Sequence, residues 1–346
     1  MKKRAIWTIV AVLLAGISIY AVLSQSKTLS LGKLFASLKE AQPGWIILAV
    51  LCMFGFVYFE GAALLCIVKA IGYKRSQRSG LVFSAADIYV SAITPSTTGG
   101  QPASAYTMIR DGIPAGMTTV ALIVNLVMYT LAILTIGLFT FLFDAGSFFS
   151  FRTFPSKILI IIGLAVLAGL VITFMLLLSR GKEVFRVIGR FLTFLAAHHI
   201  IHNLGKKQEK LEKIVTDYQS CVNVMRGKRA TLIKVYLLNL AQRTSQILVS
   251  VVVFAAFHGW SADAGRVFSA QSMATIGFNC VPIPGAMGVA DYLMIDGFRG
   301  ILNREQAIHL EMISRGISMY GCMILCGLIM LAAFLIDRYR KGRMNA

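Results

Sequence analysis

Charge is the scarcest commodity in this 346-residue chain: 14% of its residues are Asp, Glu, Lys or Arg, against 57% that are hydrophobic. Soluble domains carry about 25% charged residues, so a water-soluble globular fold is excluded for most of the length and an all-α polytopic membrane protein is expected. Acidic residues are rarer still, 15 against 34 basic, for a formal net charge of +19. An excess of that size can mark a nucleic-acid binder. Here the Lys and Arg residues fall in blocks between apolar runs, as they do in the cytoplasmic loops of membrane proteins. The excess is therefore read as topological, and it draws those loops toward anionic lipid by about 1 kcal/mol per basic residue. The expected partners are membrane phospholipids, not nucleic acid.

Six cysteines lie mostly inside apolar runs without CxxC spacing, which argues against a disulfide framework or a zinc site. Cys322 and Cys326 share a helix face and read as small packing residues. The single substantial polar stretch, Ser179 to Arg229, holds eleven Lys and Arg against four acids. About fifty residues of this kind form basic amphipathic helices on a membrane surface more readily than a catalytic domain. His198 and His202 sit one helical turn apart with no third ligand, so neither a metal nor any other cofactor is expected.

The apolar runs define about six full transmembrane helices. Lys2, Lys3 and Arg4 precede a retained span at Ala5 to Leu23, and Ser30 to Gln42 then reads as an outer interfacial helix. Further spans are expected at Gly44 to Val68, Ala115 to Phe143, Ile158 to Leu178 and Thr231 to Phe257. The last starts before Arg315 and ends near Ile336. The basic blocks place both termini and the 179–230 loop in the cytoplasm of a bacterial-type plasma membrane. Three regions follow: a first membrane half at 1–178, the basic loop at 179–230, and a second membrane half at 231–346.

Proline is also scarce, and four of the seven prolines cluster in two stretches. Thr94 to Tyr106 contains Pro95, Gly99, Gly100 and Pro102; Val281 to Tyr292 contains Pro282, Pro284, Gly285 and Gly288. Proline cannot continue a helical ladder, and backbone freed inside hydrocarbon must be buried in protein or line a wet cavity. From Leu81 the chain reaches Pro95 in fewer residues than a crossing needs. Two re-entrant broken-helix hairpins are therefore expected, at 81–112 from the cytoplasmic side and at 265–300 from the outer side. Val-Phe-Ser-Ala opens each, at Val82 and at Val267. Opposed entry sides make them an inverted repeat, a transporter plan in which half-helix N-termini face anionic groups.

These residues also carry a resemblance. Thr-Pro-Ser-Thr-Thr-Gly-Gly-Gln-Pro, then Tyr-Thr-Met-Ile-Arg-Asp-Gly-Ile-Pro, then Pro-Ile-Pro-Gly-Ala-Met-Gly-Val-Ala-Asp and a late Arg315 resemble the lysylphosphatidylglycerol synthase transmembrane, or flippase-like, family over nearly the whole chain. The resemblance implies a membrane region that translocates an aminoacylated lipid. In better-known members it is joined to a soluble domain that transfers lysine from tRNA to phosphatidylglycerol; no such domain is legible here, and a stand-alone member is expected. Family patterns often have Glu just after the first glycines and an Arg nearby, where this chain has Gln101, Ala103 and Ser104. Asp291 stands where Glu is common.

Charges inside a span cost about 2.5 to 3.5 kcal/mol even on the insertion scale, so Glu60, Asp87, Arg243 and Asp291 must face the interior or one another. Arg243 and Arg315 are candidate phosphate receptors, because a guanidinium offers a planar, permanently charged fork. The alternative for both is a structural ion pair with Glu60, Asp87 or Asp291, with Asp291 the candidate partner of both. Thr97, Thr98, Gly99 and Gly100 could present hydroxyls and amides to a phosphate, or simply turn the chain. Gln101 and Asn279 are candidate neutral headgroup contacts. The expected function is lipid translocation, with no catalytic residue and a separate lipid-modifying enzyme as a candidate partner. The alternative is a membrane subunit or enzyme of phosphatidylglycerol lysyl transfer, which would bear on cationic-peptide resistance.

Overall fold

A computed structural model describes residues 42–94, 99–197, 227–279, 281, 286 and 288–344, and no strand occurs among them. In chain order the helices are α1 (Pro43–Ala70), α2 (Gln77–Ile93), α3 (Gly100–Arg110), α4 (Ala115–Phe143), α5 (Gly146–Ser150) and α6 (Phe154–Ala197). After the basic loop come α7 (Arg229–His258), α8 (Asp263–Phe278), α9 (Val289–Phe298), α10 (Arg304–Arg315) and α11 (Cys322–Met344). A π-helical turn, Gly316–Gly321, joins the last two.

Five helical segments are long and apolar enough to cross a membrane: α1, α4, residues Phe154–Phe174 of α6, α7, and the α10–π–α11 rod over Arg304–Ile336. They match the second to the sixth expected spans. The expected first span and nearly all of the interfacial segment lie outside the described residues. One boundary differs. The sequence suggests a separate amphipathic helix over Val184 to Leu195, whereas α6 runs unbroken for 44 residues. Proline occurs at its start, Pro155, and nowhere in its interior, so nothing stops the ladder where the composition turns polar. The second expected amphipathic segment, from Leu204, and His198 and His202 fall outside the described residues.

The centre of the bundle is the pair α1 and α7, which pack along most of their lengths. Around them the two short-helix pairs occupy matching places. In the first pair α2 packs on α1 and α11 while α3 packs on α2 and α4; in the second α8 packs on α7, α6 and α4 while α9 packs on α8 and α10. Between helices in lipid no hydrophobic force operates, so close backbone approach through small residues carries the packing. Gly61 of α1 lies against Gly80 of α2, where an added Cβ would come 2.6 Å from the Gly80 carbonyl oxygen. Gly163 of α6 lies against α8, where a Cβ would meet the Ile276 carbonyl oxygen at 2.1 Å.

Polar ties hold the outer elements. Asp296 of α9 accepts the Thr153 backbone N–H at 3.2 Å and the Thr153 hydroxyl at 2.8 Å, capping the start of α6 from another helix. Arg75 and Asp111 pair at 3.1 Å and join the loop after α1 to the end of α3. Asn303 caps α10 reciprocally with Gln306.

Gly163→Ala is expected to lower stability by about 1 to 3 kcal/mol, since backbone meeting backbone leaves no side chain to yield. Gly169→Ala, on the same helix with nothing within 4 Å of its added Cβ, is expected to be neutral or stabilising. Thermal unfolding in one detergent compares the two.

Candidate functional site

Between the central pair and the two short-helix pairs lies a cavity of about 290 Å³ lined by Glu60, Asp87, Gln101, Tyr129, Arg243, Gln246, Asn279 and Arg315 among others. Six of these eight are candidates from the sequence. They come from α1, α2, α3, α7, the C-terminal end of α8 and α10.

The polar face of α7 builds one wall. Residues at helical spacing, Asn239, Gln242, Arg243 and Gln246, turn toward α1 and α4, where water is excluded but partners are not. Asn239 donates to Asn125 of α4 at 3.1 Å, and Gln242 donates to the Glu60 carboxylate of α1 at 3.0 Å. Arg243 is 9% exposed and donates to Gln246 at 2.6 Å. Its guanidinium lies 3.8 Å from the Tyr129 ring centroid and 5.3 Å from that of Phe56. Among the described residues no carboxylate oxygen comes within 4.0 Å of it, and its Nε has no hydrogen-bond partner.

The second arginine is neutralised differently. Arg315 Nε donates to Asp291 Oδ1 at 2.8 Å, while Asp291 Oδ2 accepts the Gly288 N–H at 3.0 Å. Of the two arginines for which Asp291 is the candidate partner, Arg315 takes it and Arg243 does not, because Asp291 at the first turn of α9 faces α10, on which α9 packs. Gly288 itself has φ +77, a left-handed conformation that suits glycine at this helix start. Glu311, 1% exposed and one turn before Arg315, stands within electrostatic reach of both members of the pair.

Asp87 accepts the Ser91 hydroxyl at 3.2 Å. The first turn of α3 packs directly on it: a Cβ on Gly100 would come 1.9 Å from Ser91 Oγ and 2.2 Å from Asp87 Oδ1. Gly99 N–H donates to Thr94 Oγ1 at 3.1 Å, so this amide is occupied by the turn itself. Gln101 and Pro102 are exposed in the first turn of α3. Asn279, the residue after α8, accepts the Tyr129 hydroxyl at 2.8 Å. Pro95, Thr97, Thr98, Pro282, Pro284 and Gly285 lie outside the described residues.

Sequence reasoning missed Phe56, Tyr129 and Glu311. The two aromatics are apolar-run residues like their neighbours, and only the crossing of α1 and α4 at Arg243 distinguishes them. Glu311 carried a usable signal, its i,i+4 spacing to Arg315 within one span.

The fold and this cavity define a multi-pass helical membrane protein with a buried, charged chamber between two pairs of short helices. The chain belongs to the lysylphosphatidylglycerol synthase TM region family, whose pattern matches residues 8–326. No curated protein and no solved structure matches it. Membership makes it a membrane protein of lysylphosphatidylglycerol-related lipid handling.

Removing Asp291 takes away the carboxylate that Arg315, 7% exposed, contacts at 2.8 Å and leaves the Gly288 amide without its acceptor. Asp291→Ala is therefore expected to cost about 3 kcal/mol, whereas Asp291→Asn with Arg315→Gln recovers most of it. Thermal unfolding of the single and double variants measures the coupling. Equal losses in both would show the ion pair to contribute nothing.

Proposed function

We propose that this chain translocates a phospholipid or aminoacylated phospholipid, whose headgroup passes through the cavity while its acyl chains stay in the surrounding lipid. One observation carries the reading: a buried guanidinium that lies over aromatic rings and bonds a side-chain amide, with Glu60 and Asp87 within electrostatic reach but no carboxylate in contact. Buried arginines are as a rule in contact with an acid, and one whose donors no carboxylate occupies, in a polar cavity, is open to an incoming anion. A lipid phosphate is the anion that a membrane supplies.

The matching placement of α2–α3 and α8–α9 supports reading them as two re-entrant hairpins related by inversion, so that the cavity opens alternately to either side. The basic blocks support cytoplasmic termini and a cytoplasmic 179–230 loop in a bacterial-type plasma membrane, between membrane halves at 1–178 and 231–346. Family membership keeps a second reading, a membrane subunit of aminoacyl-lipid synthesis working with a separate enzyme.

Arg243→Gln is expected to abolish movement of a fluorescent phospholipid in proteoliposomes. The same variant should melt within a few degrees of the parent, because Glu60 keeps its hydrogen bond from Gln242 and Asp87 that from Ser91. Transport at the parental rate would remove the phosphate-receptor role. The purified chain given charged tRNA and phosphatidylglycerol is expected to form no aminoacyl lipid; robust product would favour the enzyme over the translocator.

A further inference from the structure

Arg243 has Glu60 and Asp87 within electrostatic reach, but the groups that touch its guanidinium are ring faces and an amide. Tyr129 supplies the closer face at 3.8 Å, and Phe56 a second at 5.3 Å. The negative quadrupole of an aromatic face attracts the cation without consuming its N–H donors, which lie in the plane and point away from the rings. A carboxylate in the same place would occupy two donors and cancel the charge. Gln246 takes one donor, and Nε remains without a partner.

The plane of Tyr129 is itself set from outside its helix. Its hydroxyl donates to Asn279 Oδ1 at 2.8 Å, and Asn279 is the residue on which α8 ends. Four elements thereby converge on one cation: α7 carries it, α1 and α4 hold its faces, and α8 orients the nearer ring.

Resting on the reading of Arg243 as a phosphate receptor, we infer that Tyr129 is its positioning residue and Asn279 the anchor of Tyr129. Together they hold the guanidinium edge-on to the cavity and set its preference for phosphate-bearing over neutral lipid. The pair sits where the first membrane half meets the second, so headgroup capture depends on the end of α8 being in place.

The test compares binding of a short-chain phosphatidylglycerol and of the diacylglycerol with the same chains to the full-length protein in detergent, beside thermal unfolding. Tyr129→Leu is expected to lower phosphatidylglycerol affinity about 10-fold or more and leave diacylglycerol unchanged. Tyr129→Phe and Asn279→Ala are each expected to cost about 3-fold, and the two combined no more than either alone, because one hydrogen bond is removed three ways. A merely structural role would weaken both lipids alike and would overturn the inference. So would parental preference in Tyr129→Leu, or additive losses in the double variant. Should Tyr129→Leu fail to fold, the Tyr129→Phe and Asn279→Ala pair decides alone. Arg243→Gln separates the two levels: if it erases the preference while the Tyr129 variants do not, the receptor stands and its positioning residue is wrong. If it leaves the preference intact, the receptor reading falls first.

Discussion

Everything central in this bundle answers to one constraint, that a polar face inside hydrocarbon must find its partners within the protein. The face is on α7. Its arginine, two glutamines and asparagine meet Glu60 from α1 and Asn125 and Tyr129 from α4, so those two helices are the ones pressed against it. Apolar side chains could not choose between these neighbours, since lipid tails serve them equally well. The polar contacts select the partners, and glycines such as Gly61 and Gly163 then let the short helices come close enough to close the chamber.

Two arginines meet the same requirement by different routes. Arg315 is paired with Asp291, which also satisfies the amide at the start of α9, so its charge is committed to holding α9 on α10. Arg243 is held by rings and an amide. The first arrangement resists change; the second leaves a cation that can exchange partners at low cost. A chamber built with one of each has a fixed wall and a responsive one.

Most of the fold was legible because uninterrupted apolar runs of span length admit few other structures, and the ends of α1, α4 and α7 fall within about two residues of the expected limits. The exception, the continuous α6, shows that a change from apolar to basic composition is not a break when no proline or cap enforces one. In the site, the polar face of α7 was legible from spacing alone. Its counterparts were not, since a heptad-like pattern states which face is buried but not which helix covers it. That is why Asp291 looked available to Arg243, and why Tyr129 passed as one more apolar-run residue.

The π-helical turn at Gly316–Gly321 lies directly after Arg315 and interrupts the longest spanning rod of the second half. Such a turn accommodates one residue more than an α-helix would over the same rise. Each residue of an α-helix advances the azimuth by about 100°, so the extra one offsets the faces of α10 and α11. The offset turns the buried face of α10, with Glu311 and Arg315, away from that of α11, with Cys322 and Cys326, so the two segments pack on different sides while Ile324 and Leu328 stay at the perimeter. A chain lacking one residue here would have to turn α11 bodily about its axis, and its greasy perimeter would then face the chamber.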